Sequence, residues 1–581
     1  MKRVLLSLLM LAGFNALQAQ DSGNANANAN PDPDGQYEPG RAVARISILN
    51  GDVSLRRGDS GDVIAAAVNG PLMADDRLLT SSNGRAEVQL DSANMIRIGP
   101  NSEVRFTGMD VRSFQIQVAM GTVTFRTLRP SQAQVEVDTP SVAVRPLRPG
   151  AYRVTVHEDG TSEITVRSGE AEIDSQRGGE HLQAGQTPLG QTMQARGPAS
   201  DAEFQVVQPV PFDAFDRWND ERDRFILSSQ SYRHVSPAIG GAEDLDQNGQ
   251  WVNDPNYGAV WQPTNVGPDW APYQNGRWVW EDYYGWTWVS ADPWGWAPYH
   301  YGRWFMGLGG WAWYPGPILA SPFWAPAYVG FFGFGPGLGI GVGFGFGGVG
   351  WVALAPFEAV HPWWGRGFYG GFRSGVFANH TTIVNNASVA GAYRNARVTG
   401  GAIGVNTAGF GHGGQISSLN RSQIQSAGLV HGVVPVSPDR SSLRMSDRSV
   451  SGRYSQSSAQ SFASRMQTPR VEHASFDQQQ RGMQQMSRGN FSSPAGRTSG
   501  GVGGGGSGWN RFGGTAGGAY GRSSSPYARG GQAVRISPSI VAPRSNAAPR
   551  TNPAPRSTGN AHSSGGGSGH SGGGGHGGGH H

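Results

Sequence analysis

Between Arg41 and about Thr192, apolar side chains recur at every second position. Val53/Leu55, Ala86/Val88/Leu90, Ile96/Ile98, Val104/Phe106, Ile116/Val118, Val123/Phe125, Val135/Val137, Val154/Val156 and Ile164/Val166 each skip one residue. A two-residue period belongs to an extended chain with one face in a core. Turn-forming sequences punctuate it at Gly58-Asp59, Asn83-Gly84, Gly99-Pro100, Gly121 and Asp159-Gly160. About eleven short one-faced strands need a second layer to cover them, so a β-sandwich or β-roll is predicted over 41–195. The chain has no cysteine, which leaves burial and backbone pairing to hold it.

Several ordered stretches of this region resemble the FecR domain. They are Gly51-Asp52-Val53, Pro71-Leu72-Met73-Ala74-Asp75-Asp76-Arg77-Leu78-Leu79-Thr80, Ile98-Gly99-Pro100-Asn101-Ser102, Gly121-Thr122-Val123, Val137-Asp138-Thr139-Pro140 and Arg167-Ser168-Gly169-Glu170-Ala171. The family's best-known members are single-span regulators whose cytoplasmic N-terminus governs a sigma factor and whose periplasmic part senses a transporter. This chain departs from them at its N-terminus. Lys2-Arg3, the apolar run Val4–Phe14 and the small residues to Ala19 read as a cleavable signal peptide over 1–19, with a polar linker over 20–40. The resemblance therefore implies an exported β-domain, periplasmic or at the outer-membrane or cell surface, that makes protein–protein contacts.

A connector helix is expected within 208–233, where Phe215, Trp218 and Phe225 share one face and Asp213 and Asp216 lie at the positive end. Its expected role is to dock on its own domain; a partner helix is the alternative. The next block, 234–365, holds 16 of the 18 tryptophans and repeats itself. Trp270-Ala271-Pro272-Tyr273-Gln274-Asn275-Gly276-Arg277-Trp278 returns as Trp296-Ala297-Pro298-Tyr299-His300-Tyr301-Gly302-Arg303-Trp304. Trp278/Trp280 and Trp286/Trp288 suit cross-strand aromatic pairs in a Trp-rich β-meander. These repeats, with Trp313-Tyr314-Pro315-Gly316-Pro317 and Gly350-Trp351-Val352, resemble the uncharacterised domain DUF6600, which carries no activity with it. Trp270, Tyr273, Arg277, Trp278, Trp296, Tyr299, Arg303 and Trp304 are the candidate ligand-binding residues, since exposed rings beside arginines suit a polysaccharide. The competing reading is that the rings are themselves the core.

Residues 327–354 carry no charge and alternate Gly with apolar residues, a pattern poor for a helix. A packed or self-associating ribbon is expected there, with membrane insertion, which its length permits, as the alternative; peripheral membrane association is a further alternative. From 366 to 581 the composition turns to Gly, Ser, Arg, Gln and Pro, so a long disordered tail is expected. From Pro362 onward the chain carries 21 arginines against four acidic residues, leaving 25 basic and 38 acidic residues before it. A basic tail behind an acidic front suits anionic envelope polymers or the front itself, and nucleic acid is not expected. His576, His580 and His581 could hold a metal loosely; no cofactor is expected.

No nucleophile–base set stands out. Gly569-His570-Ser571-Gly572-Gly573 matches a hydrolase motif only in letters, without its strand and helix. Asp75/Asp76 and Glu281/Asp282 lie at predicted turns and read as solvated pairs. The expectation is a mostly β, non-enzymatic envelope scaffold or adaptor that contacts a protein partner through the FecR-like domain. Glycan binding through the Trp repeats and FecR-type envelope sensing are the alternatives.

Overall fold

The alternating region resolves into 17 strands, from Ala44–Asn50 to Glu203–Val207. They belong to a computed structural model describing residues 41–187, 189–320, 322–335, 346–374, 381–384, 388–450, 461–467 and 471–488. Two layers enclose one core. The first runs Pro71–Leu72, Ala44–Asn50, Arg85–Gln89, Asn94–Ile98, the second half of Ser113–Thr127, Gly150–Val156, Ser162–Ser168, Gln191–Arg196 and Glu203–Val207. The second runs Val63–Ala65, Val53–Arg56, Arg77–Thr80, Glu103–Asp110, the first half of Ser113–Thr127, Gln134–Asp138, Ala143–Pro146, Glu170–Ser175 and Gly178–Gln183.

Ser113–Thr127 belongs to both layers, and Gly121 is its corner at φ +92°. A side chain there would be strained by that backbone and would run into Ser102. Inward-facing residues are even-numbered before the corner (Phe114, Ile116, Val118) and odd-numbered after it (Val123, Phe125), all at most 1% exposed. One bulged residue has moved the alternation to the other parity, as a bulge does.

The predicted helix spans Ala214–Ser228 and starts from Asp213, whose carboxylate caps Asp216 in a reciprocal capping box. It docks on the outer face of the first layer. Arg97, between inward-facing Ile96 and Ile98, ion-pairs with Asp223 at 2.6 Å, and Arg153 and Arg167 each reach Asp216 at 2.8 Å. Trp218 lies under the Arg85 guanidinium at 4.6 Å. Within the helix, Arg224 Nε donates to the Asp220 carbonyl at 3.2 Å.

The tryptophan block forms the hairpin Gly276–Glu281/Gly285–Ser290 and a four-stranded sheet of Gly249–Asp254, Gly258–Pro263, Gly310–Tyr314 and Arg303–Gly307. Trp278 stands opposite Trp288 and Trp280 opposite Trp286, edge to face at 5.4 and 5.3 Å. The described ends of the uncharged stretch, Val329–Phe334 and Gly348–Ala353, pair as a buried hairpin inside a six-stranded sheet. Its glycines make room for rings: an added Cβ would meet Tyr393 at Gly330 and Phe332 at Gly350. No helix among the described residues is long and apolar enough to cross a membrane.

Order continues beyond residue 365, where a disordered tail was expected. Ala402–Asn406 pairs with Gly348–Ala353, and Gly428–His431 pairs with Val329–Phe334, so this region completes the sheet from both sides. Ile403, Val405, Leu429 and Val430 are buried against it. Low average hydrophobicity concealed these short apolar runs, which a neighbouring unpaired sheet edge suffices to order. Later still, residues 463–466 return to the sandwich. Ser464 Oγ and the backbone N–H groups of Arg465 and Met466 all donate to Glu136 Oε1, at 2.9, 3.0 and 2.9 Å.

Candidate functional site

The eight candidate ligand-binding residues are mostly interior. Tyr273 and Tyr299 are 0% exposed, Trp304 1%, Trp278 2% and Trp296 3%. Trp270, Arg277 and Arg303 are half-buried. The repeats meet each other: Tyr273 Oη donates to the Tyr299 carbonyl at 2.8 Å, and the two rings lie 4.7 Å apart. Tyr299 Oη donates to Asp292 at 2.7 Å, and Trp304 Nε1 donates to the Pro298 carbonyl at 2.9 Å. Arg303 lies over the Tyr328 ring at 4.2 Å, while Arg277 pairs with Asp447 at 2.5 Å. Rings buried to this degree form a core; of the eight, Arg277 and Trp278 line a small cavity of about 10 Å³, and Trp296 lines a much larger one. His570, His576, His580, His581 and the signal-peptide residues lie outside the described residues.

Asp75/Asp76 and Glu281/Asp282, expected as solvated pairs, come together where the sandwich meets the tryptophan unit. Asp76, Glu281 and Asp282 are at most 3% exposed. Arg57 from the sandwich reaches Glu281 at 2.5 Å and Asp59 at 3.2 Å. Burial outweighs that guanidinium at Glu281 and pushes the carboxyl up to about 8, with Asp76 and Asp59 adding to the rise. Burial likewise raises Asp76 to about 6. His473 sits between Asp282 at 2.6 Å and Asp75 at 3.3 Å. Burial would lower it, but the two carboxylates prevail and raise it to about 9. Asp244 and Asp246, in the acidic stretch that opens the tryptophan block, are engaged internally: Asp244 pairs with Arg45 at 2.5 Å, and Asp246 accepts the N–H groups of Gln230 and Ser231. Among the described residues no cluster of side chains could hold a metal ion.

Beside this ion network lies a cavity of about 330 Å³. The sandwich contributes Arg45, Asp91 and Phe114 to its wall, and the tryptophan unit contributes Tyr284, Trp296, Tyr301, Trp324 and Trp364. Its size falls in the range of small-molecule sites, and so does its largely apolar lining, rich in aromatic rings. The sequence signal for it was slight. Tyr301 and Trp296 belong to the second WAPY repeat, and Tyr301 replaces Asn275 of the first.

A second surface lies on the sandwich. Glu203–Val207 pairs on one side with Gln191–Arg196 and has no strand on its other side among the described residues. Val206 is 67% exposed on it. At the strand's end Arg167 donates to the Leu189 carbonyl at 2.6 Å and lies 5.3 Å from the Phe212 ring. Leu189 and Phe212 are exposed beside it.

Two family models match the chain. One, described as FecR protein, matches residues 76–172; the other, the family of unknown function DUF6600, matches residues 242–358. No curated protein matches it. Among solved structures, two crystal structures of a "putative anti-sigma factor" from Parabacteroides distasonis ATCC 8503 are similar, with 17% and 16% identity and a TM-score of 0.20. Each match covers 23% of this chain and 59% of the other.

Proposed function

We propose that this chain, in which a FecR domain is followed by a DUF6600 domain, is a non-catalytic envelope adaptor that takes a protein partner along the free strand edge of its FecR sandwich. The observation that carries this reading is the edge itself. Glu203–Val207 has no proline, no basic residue and no register shift in its pairing, the usual devices that keep an edge from pairing with another chain. An extended segment of a partner adds there by backbone hydrogen bonds, and exposed Val206, Leu189 and Phe212 give it apolar anchors. The buried ion network at the junction ties the sandwich to the tryptophan unit.

A photo-crosslinking residue at Val206, in cells that make the full chain, tests this. A discrete protein adduct is expected at Val206 and not at Leu319, which is 99% exposed. A charge introduced at the neighbouring Gln205 (Gln205→Lys) should remove it. Equal labelling at the two positions, or an adduct indifferent to the charge, would sink the edge as the contact.

A further inference from the structure

We infer that the junction cavity is a binding site for a neutral saccharide residue, built jointly by the FecR and DUF6600 domains. Its wall holds hydrogen-bond donors without acceptors. Among the described residues, the indole N–H of Trp324 is buried without a hydrogen-bond partner, and the Tyr301 hydroxyl and the indole N–H groups of Trp296 and Trp364 form no hydrogen bond while staying open to the cavity; all four side chains line it. Trp296, Trp364 and Tyr301 are only 3%, 6% and 8% exposed. Buried polar groups are normally satisfied, and leaving one without a partner is costly. One buried donor of this kind, with three more unpaired donors around the same space, points to a ligand rich in oxygen acceptors.

The charges narrow the class. Arg41 and Arg45 both reach the cavity, but each faces a carboxylate, Asp282 at 3.5 Å and Asp244 at 2.5 Å. The site therefore offers no uncompensated cation to an anion. Asp91 also lines it, its carboxylate held by the backbone N–H groups of Ala93 and Asn94, both at 2.7 Å, and it can accept from a ligand hydroxyl. The rest of the wall is half aromatic and, apart from Gln89, otherwise apolar. A purely apolar ligand would leave the four donors unpaired. A pyranose ring stacks its C–H faces on the rings while its oxygens take the N–H and O–H groups and its hydroxyls donate to Asp91. This differs from sugar stacking on the repeats generally, since Tyr273, Tyr299, Trp278 and Trp304 lie in the core, away from the cavity lining.

Calorimetric titration of the full chain is the test, using glucose, N-acetylglucosamine, their linear trimers and glucuronate. Binding of at least one neutral sugar at millimolar concentration or below is expected. Affinity that rises from monomer to trimer assigns the site to a polysaccharide chain, and equal affinity assigns it to a free sugar. Tyr301→Phe and Trp324→Phe remove donors that no protein acceptor uses, so each should weaken binding about tenfold with no loss of unfolding midpoint. Ala238, exposed where the cavity opens, provides a variant away from the core: Ala238→Trp should block binding in a chain that folds normally. Silence from every neutral sugar, tighter binding of glucuronate, or affinity untouched by all three substitutions would overturn the assignment.

Discussion

Arg57 has three carboxylates around it at the domain junction, Asp59, Asp76 and Glu281. One guanidinium does not compensate three buried charges, so Glu281 keeps its proton up to about pH 8. A carboxyl raised in the folded state binds its proton more tightly there than in the unfolded chain. Its contribution is complete below its ordinary value of 4.5 and disappears as pH rises through about 8. His473 acts in the same direction, between 6.5 and about 9. Glu87 acts oppositely and far from this window: burial would raise it, but Arg97 and Arg222 hold it down to about 2, so its contribution fails only in acid. Unfolding free energy is therefore expected to fall by at least about 1 kcal/mol from mildly acidic to mildly alkaline pH. Denaturant titrations at several pH values measure this. Glu281→Gln should flatten the part of the slope below pH 8, and a slope unchanged in that variant would remove Glu281 from the account.

The strand Ser113–Thr127 holds the two layers together, and Gly121 is the one position in it that must turn. Gly121→Val should cost more than about 2 kcal/mol, since it combines a strained backbone with a clash against Ser102. Val118→Ile, a volume increase in the same strand without a backbone demand, should cost less; chemical denaturation compares the two. At this scale the sequence was informative where a residue's environment is set by its near neighbours. Ile96/Ile98 and Val123/Phe125 alternate because one face of each strand lies in the apolar core of the sandwich, and Trp278/Trp280 alternate with Val279, which is buried on the opposite face of the hairpin. Asp213 caps the helix because it stands just before it. Arg97 was not legible: an arginine at an outward position looks solvated until a helix more than a hundred residues later covers it. Glu281 and Tyr301 escaped for the same reason, as their surroundings come from distant parts of the chain. The tail boundary was misplaced because mean composition averages Ile403-Gly404-Val405 together with the glycines and serines around it.

At the scale of the molecule, the tryptophan unit depends on chain that composition assigned to the tail. The hairpin of Val329–Phe334 and Gly348–Ala353 has both outer edges covered by later strands. A chain ended after Trp364 is expected to lose the near-ultraviolet dichroism of the packed tryptophans and to aggregate through those edges. A chain ended after Arg488 should keep that signal, because every element described lies before it. Gel filtration and dichroism of the two truncations read this directly, and a well-folded short form would show the later strands to be dispensable.

The contact between residues 464–466 and Glu136 also fixes an order of events in biosynthesis. Met466 leaves the ribosome 330 residues after its partner, an interval of some tens of seconds at ordinary elongation rates. All strands of the sandwich are made well before then. The nascent sandwich thus passes through a period with the Glu136 carboxylate facing water, and it closes only when nearly the whole described chain has emerged. Translation speed downstream of the FecR domain sets how long that incomplete form is available to chaperones and proteases.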